Sequence, residues 1–153
     1  MFMKKLVVLS LLLVISSALF ATGNGNSVGK NNLDEKLIIN INGQIDLTAT
    51  LYDNSSSRAL VELLKKGPVT IDMHDFSNFE KVGELPVTLP RNDTYTETDS
   101  GDLILYLGKR FVIYYDKNSW SFTPLGKVEG ISKPDLKKIL GSGNVTAVLK
   151  LGE

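Results

Sequence analysis

Two runs in which apolar and polar residues alternate, joined by Asn42-Gly43, constrain the fold of this chain more than any other feature. The first run covers residues 37–42 and the second covers residues 45–51. A period of two places the apolar side chains on one face of a β-strand and the polar ones on the other. Asn and Gly both tolerate the positive φ angles of a tight turn. The pattern therefore predicts a β-hairpin with one buried face and one face in water.

Six more stretches along the chain have the length and composition of strands. Two of them, at 103–107 and 111–115, are apolar at nearly every position, which is typical of strands buried on both faces. The polar segment 86–101 contains two prolines and is predicted to be a long surface loop. The other four predicted strands cover residues 69–73, 76–82, 120–125 and 145–151.

Two helices are predicted between these strands. The first follows a run of capping oxygens around Asn54, carries an apolar stripe, and ends at Gly67-Pro68. The second begins at the capping residue Ser132, with a proline in its first turn, and ends at Gly141. Antiparallel strands with two segregated helices predict a mainly β protein, namely a closed eight-stranded antiparallel barrel with two capping α-helices.

The first 21 residues have the pattern of a secretory signal peptide. Lys4 and Lys5 give a positive start, an apolar run follows, and small residues precede the expected cleavage after Ala21, with Ala18 as the alternative. The other reading is an uncleaved anchor helix, but the apolar run is shorter than the ~20 residues of a typical span. We expect an exported protein, periplasmic or extracellular, without a stable membrane anchor after cleavage. Residues 22–36 are then a flexible leader and 37–153 the barrel domain.

Charge and cysteine content exclude several classes of function. Cleavage of the signal peptide would remove Lys4 and Lys5 and leave 15 of the 17 basic residues against 17 acidic ones. The resulting net charge of −2 does not favour binding to nucleic acid. The chain has no Cys and a single His, His74, flanked by Asp72 and Asp75. A zinc site would need further carboxylates from elsewhere, so the sequence predicts no metal site. No cofactor motif is recognised either.

Blocks of sequence within residues 37–151 carry a resemblance that covers nearly the whole predicted domain. The chain resembles the small bacterial cyclophilin-like domain proteins, many of them secreted, whose fold is the cyclophilin barrel. Members of this branch for the most part have no established activity, so the resemblance implies a fold more than a function. The blocks are Ile41-Asn42-Gly43, Ala49-Thr50-Leu51-Tyr52-Asp53-Asn54, Arg58-Ala59-Leu60, Leu63-Leu64, Met73-His74-Asp75-Phe76, Glu80-Lys81-Val82-Gly83-Glu84-Leu85-Pro86, Gly101-Asp102-Leu103, Tyr114-Tyr115 and Leu125-Gly126-Lys127-Val128.

The same resemblance raises the question of prolyl isomerase activity. Cyclophilins use an arginine on the strand after the first helix, together with an apolar and aromatic pocket for the proline ring. The corresponding strand here, residues 69–73, contains no arginine, and Arg58 lies on the predicted helix. This departure from the family pattern argues against the isomerase reading.

The candidate ligand pocket is an aromatic cluster at the mouth of the barrel. Aromatic residues of this kind bind peptides or small molecules, although most apolar strand residues simply form core. Glu80 and Lys81 are neighbours on a strand and face opposite sides, so one of them could point into the pocket, or both could be solvated edge residues. Trp120 is the best single candidate because it is the only tryptophan and follows a polar turn. The candidates are Arg58, Met73, Phe76, Phe79, Glu80, Lys81, Tyr114, Tyr115 and Trp120.

Three functional hypotheses remain open from the sequence. The first is an exported barrel that binds an unknown peptide or small molecule without catalysis. The second is a diverged peptidyl-prolyl cis-trans isomerase that uses another cation in place of the missing strand arginine. The third is a structural or interaction module of the cell envelope.

Overall fold

The computed structural model describes residues 31–153, and the predicted signal peptide, together with residues 22–30 of the predicted leader, lies outside them. Strands make up most of the described chain, and one helix follows the first two strands while the other precedes the last. The elements are β1 (Asn32–Ile41), β2 (Ile45–Tyr52), α1 (Ser55–Leu64), β3 (Val69–Phe76), β4 (Glu80–Glu84), β5 (Thr94–Thr98), β6 (Asp102–Tyr106), β7 (Arg110–Tyr114), β8 (Asn118–Val128), α2 (Lys133–Leu140) and β9 (Val145–Leu151).

Eight of the strands close into an antiparallel barrel, as the sequence predicted. Their order around the barrel is β2-β1-β9-β3-β4-β7-β6-β8, and β8 pairs with β2 to complete the circle. The predicted hairpin forms β1 and β2, with Ile41 opposite Ile45 and positive φ angles at Asn42 and Gly43. Closure leaves these strands without the unpaired edges that an open sheet would expose.

Alternation along the strands fills the barrel with apolar side chains. The inner residues of β1 and β2, such as Leu37, Ile39 and Leu51, are fully buried in the same core as the apolar residues of α1 and α2. Both helices begin at the predicted caps: the Asn54 side chain accepts from the Ser57 amide at 2.9 Å, and Ser132 caps α2. Capping satisfies amides that would otherwise lack a partner at a helix N-terminus.

The strands differ from the predicted ones in several places. The segment predicted as a loop at 86–101 contains a ninth strand, β5, which pairs with the N-terminal half of β8 outside the barrel. β5 pairs with the projecting part of β8 and does not cover the core, so most of its residues are polar. Its sequence therefore lacks the alternation of apolar and polar residues by which a strand can be predicted. β1 begins at Asn32, earlier than the predicted start at Leu37. The residues predicted as one strand at 76–82 instead belong to the end of β3, a turn, and the start of β4.

Within residues 31–153 there is no helix of sufficient length and apolarity to cross a bilayer.

Candidate functional site

A groove of about 720 Å³ runs along the outer face of the barrel, not at its mouth. Its floor comes from outward-facing side chains of β3, β4, β6 and β7, and the projecting part of β8 forms a wall. The sequence predicts a pocket at the barrel mouth, whereas this groove lies on the outer face, where the aromatic side chains that line it project. The lining residues are Asp72, His74, Phe76, Glu80, Val82, Gly83, Glu84, Tyr106, Arg110, Val112, Tyr114, Asn118, Trp120 and Phe122.

A second apolar cluster, separate from the barrel core, supports the groove. On the central strands every other residue faces outward, and on this side of the barrel several of the outward residues are apolar or aromatic. The wall is added by β8, where Asn118, Trp120 and Phe122 lie on one face of the ribbon that pairs with β5. The cluster consists of Val82, Ile104, Val112, Tyr114 and Phe122, with Phe79 and Tyr106 packed against it.

Five aromatic rings form a continuous array across this cluster. Phe76 meets Phe79 edge-on at 5.8 Å, and Phe79 stacks on Tyr114 at 6.1 Å. Tyr114 then contacts Phe122 at 5.8 Å, and Phe122 meets Tyr106 at 6.1 Å. Such separations are within the favourable range for ring pairs. Phe76, at one end of the array, is 52% exposed, and Trp120 in the wall of the groove is 62% exposed.

Glu80 is the one nearly buried carboxylate of the groove, with 9% of its surface exposed. It lies opposite Tyr114 in the pairing of β4 with β7, and the Tyr114 hydroxyl donates to it. The Asn118 amide in turn donates to the Tyr114 oxygen at 3.2 Å. Burial raises the pKa of Glu80, and the Tyr114 hydrogen bond offsets this only in part. Burial and the Glu80 carboxylate raise the pKa of Tyr114, which stays a neutral donor.

Four more ionisable side chains border the groove. Asp72 and His74 lie on the outer face of β3, and Asp72 accepts from the Thr146 hydroxyl at 3.1 Å. Glu84 pairs with Lys109 at 3.3 Å. The guanidinium carbon of Arg110 lies 5.9 Å from the centre of the Tyr106 ring, a cation–π distance. Together with Glu80, the residues that line the groove thus carry three carboxyl groups, one guanidinium and one imidazole.

Five of the residues proposed from the sequence, Phe79 among them, do not line the groove. Met73, Lys81 and Tyr115 are inward-facing and fully buried, because the alternation of β3, β4 and the segment after β7 turns them into the barrel. Arg58 lies exposed on α1, where it pairs with Asp53. Of the remaining candidates, Phe76, Glu80, Tyr114 and Trp120 meet in the groove, and Phe79 supports its ring array.

Lys81 belongs instead to a polar cluster at one end of the barrel interior. Its ammonium donates to Asp75 at 2.8 Å and to the Gly143 carbonyl at 2.6 Å, and it lies 5.5 Å from the centre of the Tyr115 ring. The Tyr115 hydroxyl also donates to Asp75. Burial raises the pKa of Asp75, but the hydrogen bonds from Lys81 and Tyr115 outweigh it and leave that pKa below its usual value.

Among the groove residues that were not predicted from the sequence are Tyr106, Arg110, Asn118 and Phe122. Their outward positions on β6, β7 and β8 are visible in the alternation, but only the tertiary pairing shows that the three strands share one groove. Asp72 and His74, considered as metal ligands, both reach the groove. The described part of the chain contains no group of three or more ligand-type side chains arranged for a metal ion.

The closed barrel, the two helices and the outer groove define the class: a cyclophilin-type barrel. Residues 39–150 match the profile of the Cyclophilin-like family, and the chain belongs to that family. The solution structure of a hypothetical protein from Archaeoglobus fulgidus is similar, with a TM-score of 0.56 and 14% identity, over 80% of this chain and 98% of that one. At this identity the likeness shows a shared fold alone. No curated protein matches the chain.

Proposed function

We propose that this protein is an exported binding module that holds a peptide or small ligand in the groove on the outer face of its barrel. The observation that carries the proposal is the five-ring array with the nearly buried Glu80 beside it. Ligand sites are typically concave and mainly apolar, with a few placed polar groups that fix orientation. Export is supported by the signal-like pattern of residues 1–21.

The single tryptophan makes the proposal directly testable. Trp120 lines the groove, so the emission of the purified protein reports on that site without a label. A library of peptides and metabolites would be screened by native mass spectrometry, and retained ligands titrated against this emission. We expect Phe76→Ala to weaken binding about tenfold, a loss of about 1.4 kcal/mol, because it removes an exposed ring of the groove. Trp120→Ala should weaken binding to a similar extent. Because this variant lacks the tryptophan, its binding is measured by native mass spectrometry.

Tyr95 provides a matched control, since it is an exposed aromatic residue of β5 that does not line the groove. Tyr95→Ala should bind as the unmodified protein does. If no compound binds, or if Trp120→Ala and Tyr95→Ala bind equally well, the groove is not the site and the envelope-module hypothesis gains weight.

A diverged prolyl isomerase is the second candidate, favoured by one observation. β3 has no arginine, but Arg110 enters the same groove from β7 beside the rings. Eased rotation of a prolyl amide needs a donor near the prolyl nitrogen and an apolar site for the ring, and selective binding of the twisted amide would lower the ~18–20 kcal/mol barrier. A proline-peptide isomerisation assay should show acceleration that Arg110→Ala abolishes and Lys109→Ala preserves. No acceleration over the uncatalysed rate excludes this candidate.

A further inference from the structure

We infer that the groove recognises a cationic group, an ammonium or a guanidinium, carried on an apolar scaffold. This inference rests on the proposed binding function and specifies the chemistry of the ligand. Three features of the described residues lead to it: exposed ring faces, the nearly buried Glu80 carboxylate beside them, and a cation of the protein itself already placed on one of the rings.

The exposed rings supply the first part of such a site. Phe76 and Trp120 border the groove and keep more than half of their surfaces free. An aromatic face attracts a cation through its quadrupole, most strongly for tryptophan, and clustered rings are the usual device for binding ammonium groups. The same rings bury an attached apolar segment, so one surface serves both halves of the ligand.

Arg110 shows that the array already accommodates a cation. Its guanidinium lies against Tyr106, the last ring of the array. The opposite end of the array, at Phe76, has no cationic side chain among the groove-lining residues other than His74. A ligand cation at that end would be well separated from Arg110 along the row of rings.

The carboxyl groups supply the electrostatic preference. Glu80 lies at the floor, and Asp72 and Glu84 lie at the margins. Glu84 lies opposite Arg110 and already pairs with Lys109, and Asp72 is four residues from Phe76 along β3. A cation at the Phe76 end would therefore interact mainly with Glu80, which lies opposite Phe76, and an anion there would be repelled by the same carboxylate. Burial raises the pKa of Glu80, which shows that its negative charge is poorly solvated and would gain from a cationic partner. Charge complementarity of this kind selects between ligands of otherwise equal shape.

Matched ligands test the inference and separate it from the proposed function. The peptide probes are three acetylated, amidated pentapeptides of sequence Ala-Leu-X-Phe-Ala, where X is lysine, norleucine or glutamate. The small-molecule probes are benzyltrimethylammonium and its neutral isostere neopentylbenzene. Binding is followed by Trp120 emission at about pH 8, well above the usual range of a carboxyl pKa.

We expect the lysine peptide to bind about tenfold more tightly than the norleucine peptide, and the glutamate peptide to bind most weakly. Glu80→Gln should remove most of the preference for lysine over norleucine. Glu62→Gln, which changes an exposed glutamate of α1 outside the groove, should leave the preference intact. A response to the lysine peptide but not to benzyltrimethylammonium identifies a peptide ligand, and the reverse identifies a small ammonium compound.

The inference is overturned if the norleucine or glutamate peptide binds as tightly as the lysine peptide, while the binding function then stands. It is also overturned if Glu80→Gln keeps the full preference. The inference also fails if none of the five probes changes the Trp120 emission or is retained in native mass spectra, and the library screen then decides separately whether the groove binds a ligand of other chemistry.

Discussion

At the scale of single residues, the neighbours Glu80 and Lys81 show how one strand serves both the groove and the barrel interior. Successive side chains of β4 point to opposite faces, so Glu80 reaches the groove while Lys81 is fully buried. A buried ammonium needs compensation, and Asp75 together with the Gly143 carbonyl provides it. Lys81 thereby ties β4 both to β3 and to the turn before β9.

Replacing this lysine should cost much of the stability of the protein. Lys81→Met keeps a side chain of similar length but leaves Asp75 without its cation. Loss of one partner of a buried ion pair costs about 3–5 kcal/mol of stability. Because Asp75 is partly exposed, we expect a loss near the lower end of that range, measured by urea denaturation. The double variant Lys81→Met, Asp75→Asn should recover part of it. A single variant as stable as the unmodified protein would show that the pair contributes nothing.

The burial of Lys81 could not be predicted from the sequence, for a physical reason. Alternation predicts that Glu80 and Lys81 face opposite sides, but lysine normally faces water, so nothing local identifies the inward one. The inward position depends on Asp75, which the β3–β4 turn brings beside Lys81, and on Tyr115, which directly follows β7. The inward positions of Met73 and Tyr115 could not be predicted for the same reason, since residue type does not distinguish inner from outer aromatic and apolar positions.

At the scale of elements, the groove depends on how closely β4 lies against β3. Gly83 lacks a side chain where the inner residues of β3 pass: an added Cβ would lie 2.2 Å from Ile71 Cγ2, 2.9 Å from Met73 Cγ and 2.8 Å from the Asp72 carbonyl. The sequence placed Gly83 inside a family block but gave no indication of this contact. The apolar sequences of the central strands β6 and β7 did allow those strands to be predicted. β5 was not predicted, because its mostly polar residues do not pack on the core.

Gly83→Ala should therefore push β4 away from β3 and destabilise the protein. Overpacking of a filled core costs about 1–3 kcal/mol, and the contact with the Asp72 backbone cannot relax by a rotamer change. The midpoint of urea denaturation should fall accordingly. Ile71→Ala removes the side-chain atom nearest to the added Cβ. The double variant Gly83→Ala, Ile71→Ala should therefore lose less stability than the sum of the losses measured for the two single variants. Strict additivity of the two single losses, or a Gly83→Ala protein with an unchanged midpoint, would contradict this account.

At the scale of the whole molecule, the barrel closes through one of its two shortest strand pairings. β2 and β8 share only the pairs Ala49–Val128, Thr50–Lys127 and Leu51–Gly126, and the Glu129 amide adds a hydrogen bond to the Thr48 carbonyl at 2.8 Å. β8 then continues beyond the barrel as the ribbon that carries Trp120. The strand that completes the barrel is thus also the strand that forms the wall of the groove, so closure and binding site share one element.

Gly126 makes this closure possible, and replacing it should open the barrel between β2 and β8. A Cβ at this position would lie 2.2 Å from the Thr50 carbonyl oxygen and 3.1 Å from the Leu51 Cα, both of which are backbone atoms. In Gly126→Ala we expect the amides of 126–129 to exchange hydrogen faster than in the unmodified protein, while amides between β1 and β9 keep their protection. Gly152→Ala is the control, because its Cβ would meet no atom closer than 3.3 Å. If exchange at 126–129 stays unchanged in Gly126→Ala, the close approach of the two strands is not what holds the barrel closed.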